Sequence, residues 1–226
     1  MRTAVVASLA VWLVVGVVPA AHAATVITGT LRTQDGRPLA GLALLEKGEI
    51  HNNRWHRGAV ADASGRFRIE LAEGGQYGLH VYASGYIYKP NPVKVEAGRT
   101  LEVDVVLVPE PTRANDPVIR RVEFVAAEGA RGKAVVKLDV SDPNGDLGPQ
   151  VMAFNAATGQ VFAMDPPRWV WSLKSNYPNG VYELTVDRGK GTDEPRHWHF
   201  VVADHKCNTT DILSFPHEPK PPLVVR

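Results

Sequence analysis

From Thr25 onward the chain alternates apolar and polar residues in short runs. In AVVKLDV, Ala134, Val136, Leu138 and Val140 fall on one side and Lys137 and Asp139 on the other. Tyr182, Leu184 and Val186 repeat the scheme, as do Trp169, Trp171 and Leu173, and Trp198, Phe200 and Val202. A period of two is the signature of a β-strand with one buried face. Gly, Pro, Asn and Asp clusters separate the runs, as expected of an all-β chain. The segment VPEPTRANDP, residues 108–117, carries three prolines and no apolar periodicity, which marks a linker. Beyond Val202 the alternation stops, and FPHEPKPP reads as an extended, Pro-rich tail. These breaks divide the chain into units at 24–110 and 111–205, followed by a tail at 206–226.

The first unit opens with the strand TVITGTL and the turn QDGRPLAG, where Asp35-Gly36 suits a tight hairpin into LALLE. A loop, KGEIHNNRWHRGAV, leads to ADASGRFRIEL, QYGLHVYASGYIY, NPVKVEAGRT and LEVDVVLV, about seven strands in all. The succession ITGTLRTQDGRPLAGLAL, ADASGRFRIEL, GGQYGLHVYASGY and VKVEAGRTLEVDVVL resembles the carboxypeptidase regulatory-like domain, a transthyretin-like β-sandwich. That resemblance implies a structural or binding accessory module, because the family has no shared catalytic residues. The second unit offers seven candidate strands, a count and spacing similar to an immunoglobulin-like sandwich. The expected fold class is therefore all-β, with two tandem β-sandwiches.

The first residues add a compartment. Arg2, the apolar run from Ala4 to Val18, and AHA before Ala24 form a signal peptide pattern over residues 1–23. The run is shorter than the ~20 residues a membrane-spanning helix needs, so no membrane insertion is expected after cleavage. The expected location is periplasmic or extracellular. The whole chain has 25 basic and 24 acidic residues; removing residues 1–23 takes away Arg2 and leaves 24 of each. Such a balance argues against nucleic acid as partner. A single cysteine, Cys207, leaves stability to the hydrophobic cores.

Three segments hold candidate chemistry. In RHWHFVVADHKC, residues 196–207, His197, His199, His205 and Cys207 are donors for copper or zinc. With Trp198 and Phe200 inward, His197 and His199 share the outer face, and a hairpin from the preceding strand would set Glu183, Thr185 and Asp187 opposite them. Outer faces are ordinarily polar, so the plainer reading is a structural strand. In DPNGDLG, Asp142, Asn144 and Asp146 alternate like calcium ligands. An EF-hand would require Gly at the sixth position and an acid at the twelfth, where this chain has Leu147 and Ala153. Asn144-Gly145 is also a hairpin signal. In IHNNRWHRG, Trp55 in a loop among Asn53, Arg54 and His56 suits contact with a sugar or a protein, while the plainer reading folds Trp55 back over the edge of the sandwich.

No G-x-S-x-G elbow, phosphate loop or haem motif is present, and no cofactor is expected. The sequence reads as a non-enzymatic, exported accessory protein that contacts an envelope protein complex or a surface glycan. The alternatives are a periplasmic copper- or zinc-binding protein and a hydrolase with an unrecognised site.

Overall fold

The computed structural model describes residues 23–49, 54–126, 132–164, 179–188, 197–206, 208–214 and 223–225. The signal segment up to residue 22, the strand expected over Trp169–Leu173, Asn53 and Cys207 lie outside the described residues. No helix among those residues is long and apolar enough to cross a membrane.

The first unit contains β1 (Thr25–Thr33), β2 (Gly41–Lys47), β3 (Trp55–Ala61), β4 (Arg66–Leu71), β5 (Gly75–Tyr82), β6 (Lys89–Val95) and β7 (Thr100–Leu107). The second contains β8 (Val118–Ala126), β9 (Lys133–Ser141), β10 (Leu147–Asn155), β11 (Gln160–Ala163), β12 (Gly180–Asp187) and β13 (Trp198–Asp204). Two further strands, β14 (Leu213–Ser214) and β15 (Leu223–Val225), come from the segment read as a tail. They pair with β13 and β8 respectively.

Each unit is a sandwich. In the first, a sheet ordered β4-β1-β7 covers β3-β2-β5-β6. Phe67, Ile69 and Leu71, the inward residues of RFRIEL, meet Ile27, Leu31, Leu79 and Val81 in its core. In the second, β12-β9-β8-β15 covers β14-β13-β10-β11. Val136, Leu138, Tyr182, Trp198 and Phe200 form that core, with the parity read from the alternation.

Two turns form differently from expectation. Gly36 and Gly145 both adopt positive φ, 85° and 72°, as the turn residues predict. The Gly36 turn closes only a short hairpin, in which Arg32 bridges Pro38 and the Leu39 N–H donates to the Leu31 carbonyl at 3.0 Å, and the Gly145 turn closes none, because β9 already pairs with β8 and β12. Beyond the Pro38 bridge β2 crosses to the opposite sheet, because the rest of that edge of β1 belongs to β4 and the other edge to β7, and β10 crosses likewise. Between β3 and β4, the Asp62 carboxylate accepts from Ser64 and Arg66 backbone N–H groups at 2.8 and 3.0 Å. Gly65 completes this turn at φ 75°, where a Cβ would meet the Leu31 carbonyl at 2.3 Å.

The two sandwiches also meet. β11 and β3 join at the pair Gln160↔Arg57, which makes one eight-stranded sheet of the two inner sheets. The faces of this sheet that point away from each sandwich core pack against one another. Leu42, Leu44, Tyr82 and Tyr88 from the first unit cluster with Met152, Phe154, Val161, Val201 and Ala203 from the second. At the joint, a Cβ on Gly58 would stand 2.8 Å from Leu44 Cδ2 and 3.0 Å from Val161 Cγ2. Glycine lets the second unit approach the backbone of β3. The Gly58 N–H donates to the Gly159 carbonyl at 3.0 Å, and Arg57 Nη1 donates to the Thr158 carbonyl at 2.6 Å.

Candidate metal centre at the junction of the two sandwiches

The register of β10 against β13 brings two distant pieces of chain together. Leu147 pairs with Asp204, so the turn Asp142–Asp146, which ends one residue before Leu147, lies beside the end of β13. Asp142, Asp146 and Asp204 each turn a carboxylate oxygen toward the others, all within 4.8 Å of one another. Asp142 and Asp204 are buried, at 4% and 5% exposure.

Local hydrogen bonds set the three side chains. The Asn179 side chain brackets Asp142, accepting from its N–H at 2.5 Å and donating to its carbonyl at 3.4 Å. Asp142 Oδ1 accepts from the Asn144 N–H at 3.2 Å, while Oδ2 is buried without a partner. Asp204 Oδ1 accepts from the N–H groups of Lys206 and Asn208, both at 2.8 Å, and Oδ2 from Asn208 Nδ2 at 2.6 Å. Asp146 Oδ2 faces Lys206 Nζ at 2.8 Å, and its Oδ1 is buried without a partner.

A second acidic pair lies nearby, in the linker. The Glu110 N–H donates to the Gly85 carbonyl at 3.0 Å, which fixes the linker on the first sandwich. Both Glu110 carboxylate oxygens are buried and unpartnered, as is Asp116 Oδ1. Asp116 Oδ2 accepts from Arg113 Nε at 2.6 Å. Burial, and then the negative charge of Asp116, pushes Glu110 up to about 7, and Asp204 adds to that repulsion. Burial likewise raises Asp142 and Asp204, whereas the hydrogen bond from Lys206 lowers Asp146. Of the eight buried side-chain polar atoms left unpartnered among the described residues, five belong to Glu110, Asp116, Asp142 and Asp146. Such groups normally find a hydrogen bond, water or ion, so their concentration here requires a physical reason.

The calcium reading of DPNGDLG thus gains a third carboxylate from elsewhere in the chain. Asn144 is exposed and contributes a backbone N–H to the turn. The pattern missed Asp204, 62 positions after Asp142, because only the pairing of β10 with β13 makes the two neighbours. The one local sign was Asp204 with Asn208 four residues on, a capped turn that closes an apolar strand.

Strand pairing separates the histidines of RHWHFVVADHKC from the carboxylates expected opposite them. β12 pairs with β9 and β13 with β10, so Glu183, Thr185 and Asp187 belong to the sheet opposite His197 and His199. Glu183 instead pairs with Lys137 at 3.0 Å across β9 and β12. His199 shares its face with Val201 and Ala203, toward the first sandwich, and its ring lies 5.7 Å from Phe154. Burial lowers it to about 4, which keeps it neutral. His205 is exposed in the turn after β13, where its N–H donates to the Asp146 carbonyl at 3.0 Å.

The Trp55 reading changes too. Trp55 begins β3 rather than standing in a loop, and packs half-buried against the inter-sandwich cluster. Its ring lies 4.7 Å from that of His80. His80 Nε2 faces Glu46 Oε2 at 3.1 Å and Nδ1 faces the Tyr88 hydroxyl at 2.8 Å. With Glu46 as acceptor, Nε2 donates to it, and Nδ1 accepts from Tyr88. This polar chain is closed to solvent, since Glu46 and His80 are both 0% exposed. His56 stacks on Tyr77 at 6.1 Å, and Arg54 is exposed.

Residues 26–108 match the carboxypeptidase regulatory-like domain. The first sandwich is similar to that domain from β1 to β7. The glycine turns, the GRF step and the strand before Ala83 all lie within it. No curated protein matches the chain. Among solved structures, the GBS52 minor pilin of Streptococcus agalactiae is 22% identical, with 40% of this chain and 47% of the pilin covered at a TM-score of 0.32. Chlorocatechol 1,2-dioxygenase from Pseudomonas putida is 15% identical, covering 38% of this chain and 61% of the enzyme at 0.31. A DUF3823 family protein from Bacteroides uniformis is 12% identical, covering 84% and 98% at 0.32. The chain spans about half the length of the pilin and about three fifths of the dioxygenase. None of these likenesses bears on what the chain binds.

Proposed function

We propose that this chain is an exported, non-enzymatic accessory protein that presents a two-sandwich scaffold to a partner in the cell envelope, a surface glycan or a protein complex. The observation that supports the reading most is the carboxypeptidase regulatory-like domain at 26–108, packed against a second sandwich across a continuous apolar interface. Burying the outward faces of both inner sheets fixes the units as one body, which suits a spacer or a presenting arm better than a pair of mobile modules.

With Trp55 engaged at this interface, the contact surface lies elsewhere. A groove on the outer face of the regulatory-like domain is lined by Thr28, Thr30, Asp62, Arg66, Arg68 and Glu102. Hydroxyls, guanidinium groups and carboxylates in one shallow groove suit the hydroxyl and acidic groups of a polysaccharide. The test is a glycan array probed with the exported protein and with the double variant Arg66→Ala, Arg68→Ala. Saturable binding to one glycan class, weakened at least tenfold in the double variant, supports the reading. Absence of saturable glycan binding by the wild type discards the glycan as partner and leaves the protein complex, to be tested by in situ cross-linking from the groove.

A further inference from the structure

We propose that Asp142, Asp146 and Asp204 bind one calcium ion, which ties the β9–β10 turn to the end of β13 beside the linker. The donors are all carboxylate oxygens, the chemistry of a hard cation rather than of copper or zinc. Their spacing suits a single ion. Two ligands at about 2.4 Å from calcium are separated by at most about 4.8 Å, when they lie on opposite sides of it. The three oxygens of the cluster all lie within that distance of one another.

A group of acids alone is not a site, since exposed carboxylates often cluster without a cation. Here the second observation is Asp142, 4% exposed, with Oδ2 buried among the other carboxylates and accepting nothing. Asp146, its side chain 23% exposed, likewise has a buried Oδ1 with no hydrogen-bond partner. Leaving buried acceptors unpaired is costly, and a divalent cation would satisfy both oxygens while offsetting the mutual repulsion of three negative groups. Lys206 offers only a partial substitute. It reaches Asp146 Oδ2 from the solvent side, with its side chain 65% exposed, and forms no hydrogen bond to Asp142 Oδ2.

The position gives the ion a structural role. Asp142 and Asp146 bracket the crossing from one sheet of the second sandwich to the other, and Asp204 ends the strand whose opposite face packs on the first sandwich. Glu110, fixed to the first sandwich through Gly85, lies within the field of Asp204. A calcium ion therefore stiffens the corner of the second sandwich where the linker enters and lowers the repulsion between that corner and the linker.

The test is titration of chelator-treated exported protein with Ca²⁺ alone, by calorimetry and by melting temperature. The expected result is one equivalent bound, with Kd at or below about 1 mM, the weak end for extracellular calcium modules. Asp142→Asn should weaken binding at least tenfold. Lys206→Ala removes the competing cation at an exposed position and should tighten binding several-fold, so the proposal can be judged even where Asp142→Asn fails to fold. No saturable heat and no melting shift at 10 mM Ca²⁺ (a concentration of roughly ten times that Kd limit) would overturn it. So would binding unchanged in both variants, or Zn²⁺ binding more tightly than Ca²⁺ at this site.

Discussion

Phe154→Ala distinguishes a fused pair of sandwiches from two units on a string. Phe154 projects from the face of β10 that points away from its own core; it is 2% exposed and sits in the cluster with Leu42, Leu44, Tyr82 and Tyr88 of the first sandwich. If the sandwiches were independent, this face would meet water and truncation would cost no more than about 0.5 kcal/mol, as at other surface sites. Buried as the structure has it, the ring removes roughly 150 Å² from solvent, worth about 4 kcal/mol at 25 cal/mol per Å². The cavity left behind keeps the cost in the range of about 3–5 kcal/mol measured for buried Phe→Ala changes. Urea denaturation followed by fluorescence and circular dichroism supplies the assay, with Val151→Ala in the second core as a control for ordinary destabilisation. A loss below about 1 kcal/mol for Phe154→Ala, with Val151→Ala behaving as a core residue, would refute the interface.

Three further outcomes follow from the same geometry. Trp198→Ala should cost about 3–5 kcal/mol in thermal or urea unfolding, because Trp198 is fully buried against Phe124, Phe162 and Phe200. Gly58→Val should cost at least about 1–3 kcal/mol in the same assay, because its Cβ would press on Leu44 and Val161 at once and wedge the sandwiches apart. His199 is held near 4 in the fold against its usual 6.5, so the unfolded chain takes up the proton first. Stability is then undiminished above pH 6.5 and falls between pH 6.5 and 4, by up to about 3 kcal/mol, and His199→Phe should flatten that part of a pH–stability profile.

The alternation that identifies the strands was legible because RFRIEL, KAVVKLDVS and GVYELTVD each have one covered face and one wet one. The interface left a different sign. GLALLE is buried at six successive positions and YGLHVY at six, and FVVAD is buried throughout. Continuous burial means that both faces of a strand are covered, and the apolar runs LALL and FVVA carry that information in the sequence. Glu46 and His80 obscured it, because charged or polar residues in such runs read as solvent-facing until each is seen to satisfy the other. Trp55 reads as a loop residue because Asn52, Asn53, Arg54 and Arg57 surround it in the sequence, whereas it packs on His80 and on the cluster that the two sandwiches share. The acidic site was half legible. Asp142 and Asp146 are local to one turn, but Asp204 arrives through strand register, which no local pattern encodes.

The cluster of Leu42, Leu44, Tyr82, Phe154 and Val201 joins the two sandwiches, which should therefore unfold as one cooperative body. Differential scanning calorimetry of the purified protein tests this directly. One transition is expected, with calorimetric and van't Hoff enthalpies equal, moving as a whole when Phe154 is truncated. Two transitions, one of them unmoved by Phe154→Ala, would contradict it.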